Sequence, residues 1–152
     1  MKRDLGTAAI GGGAGGLLDA IYATVLWGFI LGDNPAAVWQ SVAAGLLGKA
    51  SYDGGPATAF LGLALHLCVA FVMALVYVRA ARHLPVLLQR PVLMGALYGL
   101  VLYTVMNFVV VPLSAIGFHA PSLKGSMRVI IPHILFVGPA ISLITARRAR
   151  TG

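Results

Sequence analysis

The sequence has no glutamate, a single cysteine and few charges of any kind: charged residues make up 10% of its 152 positions. Soluble domains carry about 25% charged residues, so composition excludes an ordinary water-soluble globule. The lone Cys68 excludes an intrachain disulfide. It sits inside an apolar run, where a free thiol behaves as a small hydrophobe. Acids are the scarcest class, with 4 Asp against 11 Lys+Arg and a formal net charge of +7. In a soluble chain that excess would point to nucleic acid. Here the basic residues stand at the ends of apolar runs and read as topology signals, with no support for a nucleic-acid partner. What is abundant is apolar: 59% of residues are hydrophobic and the mean hydropathy is +0.92. The partner these numbers imply is the lipid bilayer.

A hydrocarbon core about 30 Å thick takes roughly 20 apolar residues per helix. Four runs qualify, at residues 8–31, 56–78, 92–111 and 128–146. They fill residues 1–152 as a single integral membrane domain and leave no room for a separate soluble one. The expected fold is an all-α, four-helix transmembrane bundle. The turn Asp53-Gly54-Gly55-Pro56 leads into the second run, and Pro91 opens the third at a suitable first helical position. The first run follows Met1-Lys2-Arg3 in the manner of a signal peptide. Asp19 interrupts it and no small-residue cleavage pattern follows, so it is read as a retained helix.

Between the first two runs, Asp33-Asn34-Pro35 reads as a helix start, an Asx cap followed by proline. Val38, Trp39, Val42, Ala43 and Leu46 then share one face of a helix too short to cross. This predicts an extra interfacial or re-entrant helix with Trp39 at headgroup level, or a helix packed on the bundle. Lys2, Arg3, Arg79, Arg82, Arg90, Arg147, Arg148 and Arg150 flank one side of the membrane, against Lys49, Lys124 and Arg128 on the other. The positive-inside rule therefore places both termini in the cytoplasm, and the same cluster would attract anionic headgroups.

The run Gly11 to Gly16 formally matches G-x-G-x-x-G, but a dinucleotide site needs a strand before it and a βαβ unit around it, so that reading is rejected. The pairs Gly11/Gly15, Gly12/Gly16 and Gly95/Gly99 are small-xxx-small faces instead. In lipid, helices associate by close packing across such faces, either within the bundle or between protomers.

Four polar side chains inside the runs form a candidate intramembrane polar site: Asp19, His66, Asn107 and His133. At 1.5 Å per residue, Asp19 and His66 lie roughly 15–18 Å deep and the other two within roughly 10 Å of the outer face, which predicts two layers. An ionised Asp at mid-bilayer costs about 2.5–3.5 kcal/mol or more, so it is neutral, paired or beside water. Pairing with His66 would favour the charged form of each. Such a pair is a proton relay or substrate anchor, or else a hydrogen bond that sets helix register. Haem ligation by His66 and His133 is opposed by their offset in depth, and Cys68 lies on a different helical face from His66. Zinc would want three or four converging ligands. No catalytic, cofactor-binding or metal residue is assigned, no cofactor is expected, and the chain is not read as an enzyme. Tyr103 and Asn107, spaced i, i+4, share a face. Trp27, Trp39, Tyr77, Tyr98 and Tyr103 read as interface anchors or bundle filler, and Pro132 and Pro139 interrupt the last span's backbone ladder.

Several strings carry a family resemblance. They are Leu65-His66 with Ala70-Phe71 and Val76-Tyr77; Gly95 to Gly99 with Met106-Asn107 and Val111-Pro112-Leu113-Ser114; and His133 with Val137-Gly138-Pro139. Over residues 56–146 the set resembles small four-span bacterial inner-membrane proteins and is more distantly similar to the YagU-like family. The resemblance implies a helical inner-membrane protein loosely associated with acid resistance, with no known substrate or cofactor. The functional expectation is a structural or accessory membrane component, a homo-oligomer or a subunit of a larger complex. The alternative is a small proton-coupled transporter or proton-conducting protein using Asp19 and His66.

Overall fold

A computed structural model describes residues 1–117 and 122–151, and among these it contains helices and no strand. The elements are α1 (Lys2–Ile30), α2 (Pro35–Leu47), α3 (Gly55–Ala80), the short α4 (Val86–Gln89), α5 (Pro91–Leu113) and α6 (Leu123–Arg150). Helices α1, α3, α5 and α6 are long and apolar enough to cross a membrane, as the hydropathy predicts. The shortest, α5, has 23 residues; at 1.5 Å each it is about 35 Å long, enough for the hydrocarbon core. The chain is an all-α, four-helix integral membrane bundle.

The order of packing is α3–α1–α6–α5, with α2 laid on α3. Helix α1, the one with the look of a leader, lies between α3 and α6. Its two glycine faces explain this position. Gly12 and Gly16 meet Ala70 of α3, while Gly11 and Gly15 meet Ile141 and Val137 of α6. On α5, Gly95 and Gly99 meet the backbone of α6 at Gly138, Pro139 and His133. The small-residue faces are thus spent inside the bundle, which settles a question that helical spacing leaves open. A compact core of Ala8, Ala74, Tyr77, Val78, Leu102, Val137 and Ile141 fills the space between them, and large side chains such as Phe29 and Phe60 point outward.

At the basic end, both chain termini and the α3–α5 connection come together. Buried Asp4 pairs with Arg79 at 3.2 Å and with Arg82. Arg148 donates to Thr7 Oγ1 at 3.1 Å, and Arg3 donates to the Arg148 carbonyl. At this same half, Tyr77 and Tyr98 bridge α3 and α5 with ring centroids 4.8 Å apart. Tyr98 donates to the Met73 carbonyl at 2.7 Å and Tyr77 to that of Leu87 at 3.1 Å. These two tyrosines are filler with satisfied hydroxyls rather than interface anchors. Toward the opposite end α3 and α5 part, leaving a crevice of about 810 Å³ that α2 also lines, bordered by Val42, Leu46, Leu65, Val69, Met106 and Val110.

Helix α2 begins as expected, with Asn34 Oδ1 accepting from Ala36 N at 2.9 Å and Pro35 in the first position. Its packing face overlaps the apolar stripe only in part. Gln40, Ala43 and Ala44 are buried, while Leu46 is exposed. The reason is backbone proximity: a Cβ on Gly62 of α3 would collide with the Trp39 carbonyl, so only small residues fit the contact. Gln40 Nε2 donates to the Gly55 carbonyl at 3.0 Å and ties α2 to the start of α3. Trp39 packs edge-on against the His66 ring, with centroids 5.5 Å apart, rather than standing alone among headgroups.

Three of the spans contain a wide π turn, at Thr24–Ile30, Met106–Val110 and His133–Val137. Pro112 and Pro139 lack the N–H that would reach the carbonyls of Phe108 and Leu135, and the ladder next to each relaxes into a π turn. The prolines of α6 widen the helix without breaking it.

Candidate functional site: an intramembrane carboxylate between two cavities

Asp19 lies one turn beyond the contact of Gly16 with α3. A Cβ on Gly16 would stand 3.0 Å from Ala70 Cβ and 3.1 Å from Leu67 Cδ2, so glycine permits an approach that few other residues would. The approach brings the Gly16 carbonyl to 3.0 Å from His66 Nε2. A carbonyl only accepts, so Nε2 carries the proton and Nδ1 is left as an acceptor. Asp19 Oδ2 is 3.8 Å from the same Nε2. That is ion-pair range but too long for a hydrogen bond. Among the described residues the Asp19 carboxylate makes no hydrogen bond at all.

His133 and Asn107 repeat the pattern. His133 Nδ1 donates to the Val129 carbonyl at 2.8 Å, which leaves Nε2 as an acceptor. Asn107 Nδ2 donates to the Tyr103 carbonyl at 3.0 Å, which leaves Oδ1. The i, i+4 relation of Tyr103 and Asn107 is therefore a bond to the backbone and not an extension of the polar layer by the buried phenol.

All four residues border one cavity of about 220 Å³, together with Gly16, Met73 and Met106. The two layers expected from residue counting merge into one site. Helix α6 starts at Leu123 rather than at 128, so His133 is about 15 Å from its outer end, a depth matching that of His66. Asp19 and His66 also border a second cavity of about 450 Å³, walled by Trp27, Trp39 and Tyr52 and edged by Asp33. The Asp19–His66 pair is the partition shared by the two spaces. Its side chains are 14% and 21% exposed, so each is largely withdrawn from lipid while keeping a face to the cavities.

The arrangement is rich in acceptors: a carboxylate, two imidazole nitrogens and an amide oxygen, with most of the donors already turned to the backbone. A space lined this way is complemented by a proton or a donor-bearing guest. No group of three His, Cys or Asp side chains among the described residues is placed to hold a metal ion. Sequence reasoning singled out the four polar residues but not Asp33 or Tyr52, nor Trp27 as a cavity wall. Trp27 also carries the Arg128 guanidinium, 5.3 Å from its ring centroid. The cue for Asp33 was scarcity: in a chain with 4 acids, one beside a helix start stands out.

Fold and site together define a multi-pass α-helical membrane protein with a protonatable cavity at mid-depth. Comparison with protein-family models, curated proteins and solved structures gives no match, so function is argued from the site.

Proposed function

We propose that this protein is a small proton-coupled carrier of a bacterial inner membrane, with both termini in the cytoplasm and Asp19 and His66 as its proton-exchanging pair. One observation carries the reading: a mid-span carboxylate without a hydrogen bond forms the wall between two cavities. An ionised Asp at that depth costs about 2.5–3.5 kcal/mol or more. Taking up a proton removes that cost, and releasing it restores the charge. Its protonation state is therefore coupled to whatever else occupies the cavities. His66, with Nδ1 open to a proton, extends the exchange by one group. The resemblance to YagU-like proteins and its association with acid resistance agree with proton handling. We assign the protein no enzymatic step.

Proton flux into liposomes carrying the purified protein tests this. Wild type is expected to dissipate an imposed pH gradient, Asp19→Asn to abolish the flux, and His66→Gln to slow it. Equal leak in wild type and a normally folded Asp19→Asn would refute the carrier. The second reading, a structural or accessory component acting as a homo-oligomer or complex subunit, is favoured by the apolar crevice among α2, α3 and α5, which a segment of another chain would fill. A stoichiometric co-purifying partner together with that equal leak would establish it.

A further inference from the structure

The larger of the two cavities at Asp19 has a composition that the proton alone does not explain. Three aromatic side chains, Trp27, Trp39 and Tyr52, wall it, and two carboxylates, Asp19 and Asp33, stand at its depth and its edge. Its volume of about 450 Å³ is far more than a proton or one water needs. Aromatic faces attract cations through their quadrupole, and the attraction grows when water is excluded. The fold already shows this preference, because Arg128 places its guanidinium over Trp27. Against that one positive charge stand the two carboxylates, so with His66 neutral the cavity keeps a net negative charge. Lys49, the other basic residue near α2, borders the separate crevice instead.

We propose that this cavity binds an organic cation, an amine or quaternary ammonium of a size to fit among the three rings, with its charge on Asp19 and its entry guided by Asp33. The assignment rests on the carrier reading for its consequence: cation and proton compete for the one carboxylate, so the two would exchange. The binding itself needs only the cavity.

The test uses the chain's own reporters. Its 2 tryptophans are Trp27 and Trp39, and both line the cavity, so intrinsic fluorescence reads occupancy directly. Purified protein in micelles is titrated with tetraphenylphosphonium and, separately, with tetraphenylborate, an anion of the same shape. The expected result is saturable quenching by the cation alone, weakening as pH falls. Asp19→Asn should weaken binding by about tenfold or more, and Asp33→Asn, at the exposed edge where folding is not at stake, by a few-fold. Equal response to the anion would reveal simple partitioning into an apolar site and overturn the proposal, as would the absence of saturation or an unchanged affinity in both variants. Cation binding in a protein that conducts no protons would support the site and refute the carrier. Proton flux without cation binding would refute the site alone.

Discussion

Two adjacent glycines on α1 should behave in opposite ways. A Cβ on Gly12 would lie 2.7 Å from the Ala70 carbonyl oxygen and 2.8 Å from Phe71 Cα, where ordinary contact begins near 3.4 Å. Both atoms are backbone, so no side-chain rotation relieves the clash and α1 must retreat from α3 by about 0.7 Å. The same displacement draws the Gly16 carbonyl away from His66 Nε2, now at 3.0 Å, and out of hydrogen-bond range. Overpacking costs about 1–3 kcal/mol and the lost bond about 1 kcal/mol more. A Cβ on Gly13 meets nothing within 4 Å, so Gly13→Ala should cost nothing and gain up to about 1 kcal/mol through helix propensity. Unfolding midpoints of both variants in mixed micelles measure the difference, and cation quenching measures the accompanying loss at the site. Gly12→Ala should not be rescued by Ala70→Gly, because the obstacle is a carbonyl. Gly16→Ala should be partly rescued, because its nearest neighbour is the Ala70 methyl. If Gly12→Ala proves as stable as Gly13→Ala, the α1–α3 contact is not set by backbone approach and the account of how Asp19 reaches His66 fails with it.

Asp4→Asn should lower stability by about 1–2 kcal/mol, discounted because Arg79 and Arg82 are half-exposed, and the loss should shrink in high salt when followed by thermal unfolding. Tyr98→Phe removes one hydroxyl bond to the Met73 carbonyl and should cost about 1 kcal/mol without affecting proton flux.

The sequence revealed the spans because hydropathy is a local property, and it revealed the polar site because Asp19, His66, Asn107 and His133 are conspicuous among apolar neighbours. Their convergence could not be read. It depends on α6 beginning at Leu123, ahead of the charged residues that mark the hydropathy boundary, and on π turns that rotate the faces of α5 and α6. The contact face of α2 was not legible for a different reason. In water, the large apolar residues of a helix turn toward its neighbour. In lipid, size decides instead, so Ala43 and Ala44 pack inward on Gly62 while Leu46 turns outward. Asp4 was overlooked because its basic surroundings were counted as topology, although a buried acid among four arginines is what joins the helix ends.

The bundle divides its two tasks along its length. At the basic half, glycine contacts, the tyrosine bridge and the Asp4 ion pairs hold the helices together with nearly every polar group satisfied by another. At the far half, α3 and α5 part, and all three π turns fall between mid-depth and that end. A π turn leaves backbone carbonyls less tightly held, and an open crevice leaves side chains free to move. Both features would be destabilising in a helix bundle with no other purpose. Their placement around a mid-span carboxylate that makes no hydrogen bond among the described residues is hard to account for by packing, since apolar residues at positions 19 and 66 would fill the same space at lower cost. An open crevice and a polar cavity at one half, beside close packing at the other, are what an alternating site would use. Cross-linking α3 to α5 through cysteines at Val69 and Met106, in a Cys68→Ser background, should therefore stop flux while leaving the unfolding midpoint unchanged or raised. Undiminished flux in the cross-linked protein would show that the opening between these helices plays no part in transport.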